Sequence, residues 1–127
     1  LGFGAAGGIA AGLNSFFPIE VKIGSPYFFE QIDLKSKIDW ADLVITGEGR
    51  YDSQSSEGKA AYELLGLSKN RNKKIALVSS GNDGLKDGFD LVITLPNLQA
   101  SSKNIKQQAE EDLIKALKNS FEDKFWT

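Results

Sequence analysis

The side chains most able to do chemistry are concentrated in one stretch of the chain. Glu48, Arg50 and Asp52 fall within Thr46-Gly47-Glu48-Gly49-Arg50-Tyr51-Asp52, and Gln54 and Lys59 follow closely. A site that handles phosphate needs cations and backbone donors for the phosphate, and carboxylates for a metal or a substrate proton. This stretch supplies all of these types. Gly47 and Gly49 would let the backbone turn tightly and approach a ligand without a Cβ in the way. The stretch also leaves a short β-branched run, and in open α/β sheets ligands gather beyond the carboxyl ends of strands. A plainer reading stands beside this one. Glu48 and Arg50 could pair with each other on a solvated loop, a contact worth about 0–1 kcal/mol, while Asp52 caps the next helix. The residues alone leave both open.

A second candidate is the opening Gly2-Phe3-Gly4-Ala5-Ala6-Gly7-Gly8, where Gly2, Gly4 and Gly7 match the G-x-G-x-x-G spacing and Glu20 stands at a distance suited to a ribose. That fingerprint requires a preceding strand. Close helix packing, a tight turn, or phosphate or substrate contact compete with a nicotinamide site here. Ser79-Ser80-Gly81-Asn82-Asp83-Gly84 reads as an ordinary turn at a strand end. Phe16, Phe17, Tyr27, Phe28 and Phe29 read as core or domain-interface residues, and Phe125-Trp126, if exposed, would hint at an absent neighbouring domain.

Composition narrows the chemistry. The 127 residues suit one core, and 41% hydrophobic with 25% charged residues describe a soluble globular chain. No apolar run approaches the roughly 20 residues of a membrane span, and the glycine-punctuated start lacks a basic leader. With 15 basic and 17 acidic residues, no broad cationic footprint for nucleic acid exists. Cysteine and histidine are absent, which excludes disulfides, thiol nucleophiles, Ser-His-Asp triads and the common zinc sites. A general base here is a carboxylate, a lysine or a tyrosine, and a metal would be a hard ion such as Mg2+ on oxygen ligands.

The elements that would position these residues alternate. A helix is expected from about Ile9 to Pro18, a half-buried strand over Ile19–Ile23 and a helix from Pro26 to about Ile38. Then come strand Asp42–Thr46, helix Glu57–Leu65 stopped by Gly66, strand Lys74–Ser79, strand Phe89–Leu95 and a final helix. Ser101 or Ser102 could cap that helix, whose apolar stripe is Ile105, Ala109, Leu113, Leu117 and Phe121. The fold class is therefore α/β, a partial Rossmann-like parallel sheet with crossover helices. Three parallel strands make a poor complete sheet. With no methionine in the chain either, the expectation is a piece of a longer polypeptide whose upstream sequence completes the sheet.

Ala41-Asp42-Leu43-Val44-Ile45-Thr46-Gly47-Glu48-Gly49-Arg50, followed by Asp52, Gln54, Gly58 and Lys59, closely resembles the signature of the glycerate kinase family. Gly4-Ala5-Ala6-Gly7-Gly8 resembles that family's upstream glycine-alanine motif, and Ala76-Leu77 to Gly81 and the terminal helix fall where the family would place them. Tyr51 stands where a smaller aliphatic residue is usual, Ser56-Glu57 where more apolar residues are common, and Ser79-Ser80-Gly81 is a variant strand end.

The resemblance implies a two-domain α/β enzyme with its active site in the cleft between the domains. Residues 1–36 would be the end of an inserted second domain and residues 37–127 the C-terminal part of a Rossmann-like domain. The reaction implied is transfer of a phosphoryl group from ATP, with Mg2+, to a glycerate hydroxyl, giving 2-phosphoglycerate from D-glycerate. Asp52 would orient or deprotonate the hydroxyl, with Glu48 as runner-up or magnesium-linked ligand. Arg50 and Lys59 would neutralise phosphate or carboxylate charge. Gly4, Gly7, Gly8, Gly47, Gly49 and Gln54 would line the substrate and phosphate. The partners implied are glycerate and the missing N-terminal portion of the same protein, in the cytoplasm, with a homodimer left open and neither nucleic acid nor membrane involved. Alone the fragment would be inactive. The competing readings are a non-catalytic ligand-binding or assembly module and a nicotinamide-dinucleotide-binding domain.

Overall fold

The computed structural model describes residues 5–51, 59–80, 83–96 and 104–122. Its centre is a three-stranded sheet in the order β1 (Leu43–Glu48), β2 (Lys74–Ser79), β3 (Leu91–Thr94), with both pairings parallel. Apolar β-branched runs explain the strands. β2 is the middle one, and Ile75, Ala76 and Leu77 are completely buried, as both faces of a parallel strand should be. The α/β class is as the sequence reading has it.

The register sorts the side chains. Val44 lies opposite Ile75, Thr46 opposite Leu77 and Glu48 opposite Ser79, while Leu77 lies opposite Val92. Because side chains alternate along strands, these residues share one face. There Ile75 and Leu77 join Tyr51, Ala61, Leu65 and Phe89 in the core, with Val44, Leu64 and Val92 packed against it. Helix α4 (Ala60–Lys69) supplies Ala61 and Leu65. On the other face Ala76 and Ile93 are also buried, and α6 (Ile105–Glu122) packs against β3. Ile45 of β1, on that same face, stays 54% exposed.

Short α5 (Gly84–Asp87) connects β2 to β3. A Cβ on Gly84 would stand 2.6 Å from Leu77 Cδ2 and 3.2 Å from both Phe89 Cδ2 and Val92 Cγ2. The expected turn at Asp83-Gly84 is thus the start of a helix whose glycine lets it sit directly on the core. Asp90 closes the same connection. Its carboxylate accepts from the Ile75 N–H and from Lys69 Nζ, each at 2.8 Å.

Several boundaries differ from the expectation. β1 continues through Gly47 and Glu48 because both pair in register with β2. α4 passes Gly66 and ends at Lys69; one glycine inside a helix costs only about 1 kcal/mol, and Asn70 N–H bonds back to its carbonyl. β3 is shorter than Phe89–Leu95, running over Leu91–Thr94, with the Asp90 and Leu95 N–H groups bonding Ile75 O and Ser79 O of β2 at its two ends. The helix expected from Pro26 is two, α2 (Gly24–Gln31) and α3 (Leu34–Trp40), split where Asp33 takes a left-handed φ of 47°. Residues 19–23 form no strand; no neighbouring chain pairs with them among the described residues. The first helix, α1 (Ile9–Asn14), follows a 3-10 turn over Ala5–Gly8. Phe16, Phe17, Tyr27 and Phe28 are exposed and not core. Gly2, Phe125, Trp126 and the serines proposed to cap α6 lie outside the described residues. Among the described residues no helix is long and apolar enough to cross a membrane.

Candidate functional site

The carboxyl ends of the three strands meet in one place. A cavity of about 380 Å³ opens there, lined by Glu48 and Gly49 after β1, Ser80 after β2, Leu95 and Pro96 after β3, and Ala109 and Asp112 of α6. A second cavity, about 340 Å³ between α2, α3 and α4, is lined by Phe29 of the aromatic group and by none of the residues proposed for catalysis or phosphate binding. The strand-end rule and the residue types thus select the same spot.

Glu48, the last residue of β1, is 19% exposed at its side chain, and its Oε1 lies 3.0 Å from Lys59 Nζ. The pairing with Arg50 that the plainer reading suggested is therefore a pairing with Lys59, the N-cap residue of α4. The other oxygen, Glu48 Oε2, is buried without a hydrogen-bond partner among the described residues, and so is Asp112 Oδ2. Two buried carboxylate oxygens without donors, on residues lining one cavity, are costly unless a cation or a donating ligand comes to them. Asp112 was not singled out in the sequence. The available signal was its position three residues after Ala109, which puts it on the inward side of α6 beside the apolar stripe.

The segment after Glu48 is tied to the end of β2. Gly49 O accepts from the Ser80 N–H at 3.2 Å and from the Ser80 hydroxyl at 2.6 Å. The Tyr51 N–H donates to Ser79 Oγ at 2.8 Å. The Tyr51 ring is 1% exposed, meets Phe89 edge-on at 5.3 Å, and its hydroxyl donates to Asp87 Oδ2 at 2.8 Å. Burial first, and then the Asp87 carboxylate, push the Tyr51 phenol well above its ordinary range, so it stays a neutral donor. Arg50, between these anchors, is exposed. Ser79 and Ser80, read in the sequence as an ordinary turn, are thus part of the site's framework.

Gly47 and Gly49 are not needed for a left-handed turn, since neither takes a positive φ. A Cβ at Gly47 would meet only Val78 O at 3.6 Å, and at Gly49 nothing within 4 Å. Gly7 and Gly8 do take positive φ, 68° and 82°, and Gly8 is the N-cap of α1. Neither lines the cavity. Gly4, Asp52 and Gln54 lie outside the described residues.

The arrangement offers two carboxylates, Glu48 and Asp112, in the lining of a cavity at the end of a parallel sheet, an ammonium group paired with Glu48, and an exposed guanidinium two residues along the chain. These groups can hold a hard cation and neutralise an anion such as a phosphate.

Comparison with known proteins identifies the family. The sequence profile of the glycerate kinase family matches residues 1–123. A glycerate kinase of Haemophilus influenzae is 32% identical over 123 residues, a match covering 93% of this chain and 32% of that protein. A glycerate 2-kinase of Escherichia coli K12 matches with the same identity and coverage. A solved structure named for glycerate kinase 2 of Salmonella typhimurium LT2 superposes with a TM-score of 0.70 at 28% identity, covering 94% of this chain and 31% of that one. The chain thus spans about a third of the length of these relatives. With a family profile running along nearly its whole length, the chain belongs to the glycerate kinase family.

Proposed function

We propose that the polypeptide carrying this chain transfers a phosphoryl group from ATP to a hydroxyl of glycerate, and that this chain forms one side of the site. The observation that carries the reading is the carboxyl-end cavity. Glu48 of its lining pairs with Lys59, while Glu48 Oε2 and Asp112 Oδ2 have no donor among the described residues. The name of the Escherichia coli relative, glycerate 2-kinase, supports the 2-hydroxyl as acceptor and 2-phosphoglycerate as product.

The donor set fits Mg2+. That ion typically takes one or two protein carboxylates and completes its shell with phosphate oxygens and water, and among the described residues no group of three or more candidate ligands gathers. Glu48 and Asp112 would hold it, and when bound it would offset charge on the phosphates. Lys59 and Arg50 would draw the anionic groups of nucleotide or glycerate into place. Asp52, next in sequence after the anchored Tyr51, remains the choice for orienting or deprotonating the acceptor hydroxyl. Gln54, and from the other side of the cleft the backbone near Gly4, Gly7 and Gly8, would complete the ligand contacts.

In this reading residues 1–36 close an inserted second domain, residues 37–127 belong to the Rossmann-like domain, and upstream sequence adds strands beyond β1. The enzyme would work in the cytoplasm. The fragment by itself would release little or no ADP in response to glycerate. Asp52→Asn in the full-length polypeptide is expected to lower turnover by orders of magnitude while ATP binding is largely kept, measured by glycerate-dependent ADP release and nucleotide titration. Near-normal turnover would sink the role.

A further inference from the structure

β1 ends at Glu48, and the residues that follow have left the ladder. Four hydrogen bonds replace it. Two reach Gly49 O from Ser80, one joins the Tyr51 N–H to Ser79 Oγ, and one joins the Tyr51 hydroxyl to Asp87. They fall on either side of Arg50, whose side chain is exposed. The contacts come from two elements: the strand end at Ser79 and Ser80, and the last residue of α5, Asp87. The Tyr51 ring is locked into the core against Phe89. Nothing in the conformation of Gly49 itself holds the chain here, since its φ is not left-handed and its surroundings are open.

We propose that Tyr51, Ser79 and Ser80 act as a clamp that positions Arg50, fixing its backbone at the carboxyl end of the sheet so that the guanidinium meets an anionic ligand, phosphate or carboxylate, in a set direction. Asp87 completes the clamp by receiving the Tyr51 hydroxyl. Tyr51, Ser79 and Asp87 are positioning residues, acting through Arg50. The benefit is preorganisation. A cation whose backbone is already ordered loses less freedom when the ligand arrives, and that gain is realised in the transition state of a transfer reaction. The identity of the ligand rests on the kinase reading; the clamp itself does not.

Tyr51→Phe removes the hydroxyl and keeps the ring, and Asp87 is exposed enough to be rehydrated, so the fold should survive. In the full-length polypeptide, kcat is expected to fall about tenfold, with the melting temperature within about 2 °C of the parent. Asp87→Ala should give the same loss, and the double variant no more than either single one. A kcat within about twofold of the parent, or losses that multiply in the double variant, would overturn the proposal. If the parent polypeptide does not phosphorylate glycerate, the proposed function fails, and the clamp is judged separately. Amide exchange at Tyr51 in the 127-residue chain should then be about tenfold faster in Ser79→Ala than in the parent. Unchanged exchange would overturn the clamp.

Discussion

The helical segment of residues 5–41 and the sheet body of residues 42–122 treat the same kind of side chain in opposite ways. In the sheet body Ile75, Ala76 and Leu77 are at 0% exposure. In the helical segment α1 and α2 bury no residue, Phe16 is 80% exposed, and α3 buries only Ile38. The cause is geometric. β2 has a strand on each side and helices over it, so a run of apolar residues there is covered by its own neighbours. A short helix buries one stripe, and only where something lies against it. The helical segment meets the body through a few contacts, among them the ion pair of Asp39 with Arg71 at 3.1 Å, and Phe16, Phe17, Phe28 and Trp40 are left exposed among the described residues. β1 sits between the two cases, paired to β2 along one edge and showing Ile45 on its uncovered face. The carboxyl-end cavity is lined by residues of the sheet body, from the end of β1 to α6.

The contrast can be broken most directly at its extremes. Leu77→Ala should destabilise the chain by about 2–5 kcal/mol, while Phe16→Ser should stay within about 0.5 kcal/mol, both read by urea unfolding. Equal losses would mean that the helical segment has a core of its own.

Gly84→Ala tests the tightness of the sheet body. Its new methyl group would collide with Leu77, so a loss of about 1–3 kcal/mol is expected in the same measurement. A neutral result would show that α5 can lift away from the sheet.

The smallest effect belongs to Asp90 and appears in acid. Burial alone would raise its pKa, but Lys69, the Ile75 N–H and Lys74 outweigh that and hold the carboxyl below its ordinary range. A folded-state pKa below the unfolded one contributes stability above the unfolded value, and that contribution is lost as the pH falls through the folded one. With the side chain 33% exposed, the contribution is about 1 kcal/mol or less. Asp90→Asn should therefore flatten the decline of melting temperature below about pH 4. An unaltered acid slope would remove Asp90 from the account.

Much of the site was legible because it is local. Glu48, Arg50 and Lys59 lie within a dozen residues of one another, and the rule that ligands gather at strand ends needs only a recognisable strand. β2 was read to the residue because its apolar run is continuous and both ends are polar. Boundaries failed where long-range pairing overrode local signals: Gly47 looks like a loop residue until the register with Val78 extends β1, and Gly66 looks like a stop until α4 packs on the sheet.

By itself the sequence determined the α/β class, the acid, base and cation types available for chemistry, and the family, since all of these are written in composition and contiguous motif. Only the tertiary structure could bring Asp112, 64 positions beyond Glu48, to the same cavity. It alone made Ser79 and Asp87 anchors for Tyr51 and Ser80 an anchor for Gly49, and only it could decide that Glu48 pairs with Lys59. The physical reason is common to all three. Parallel strands joined by helices place distant strand ends side by side, and no periodicity within the chain records which side chains then meet.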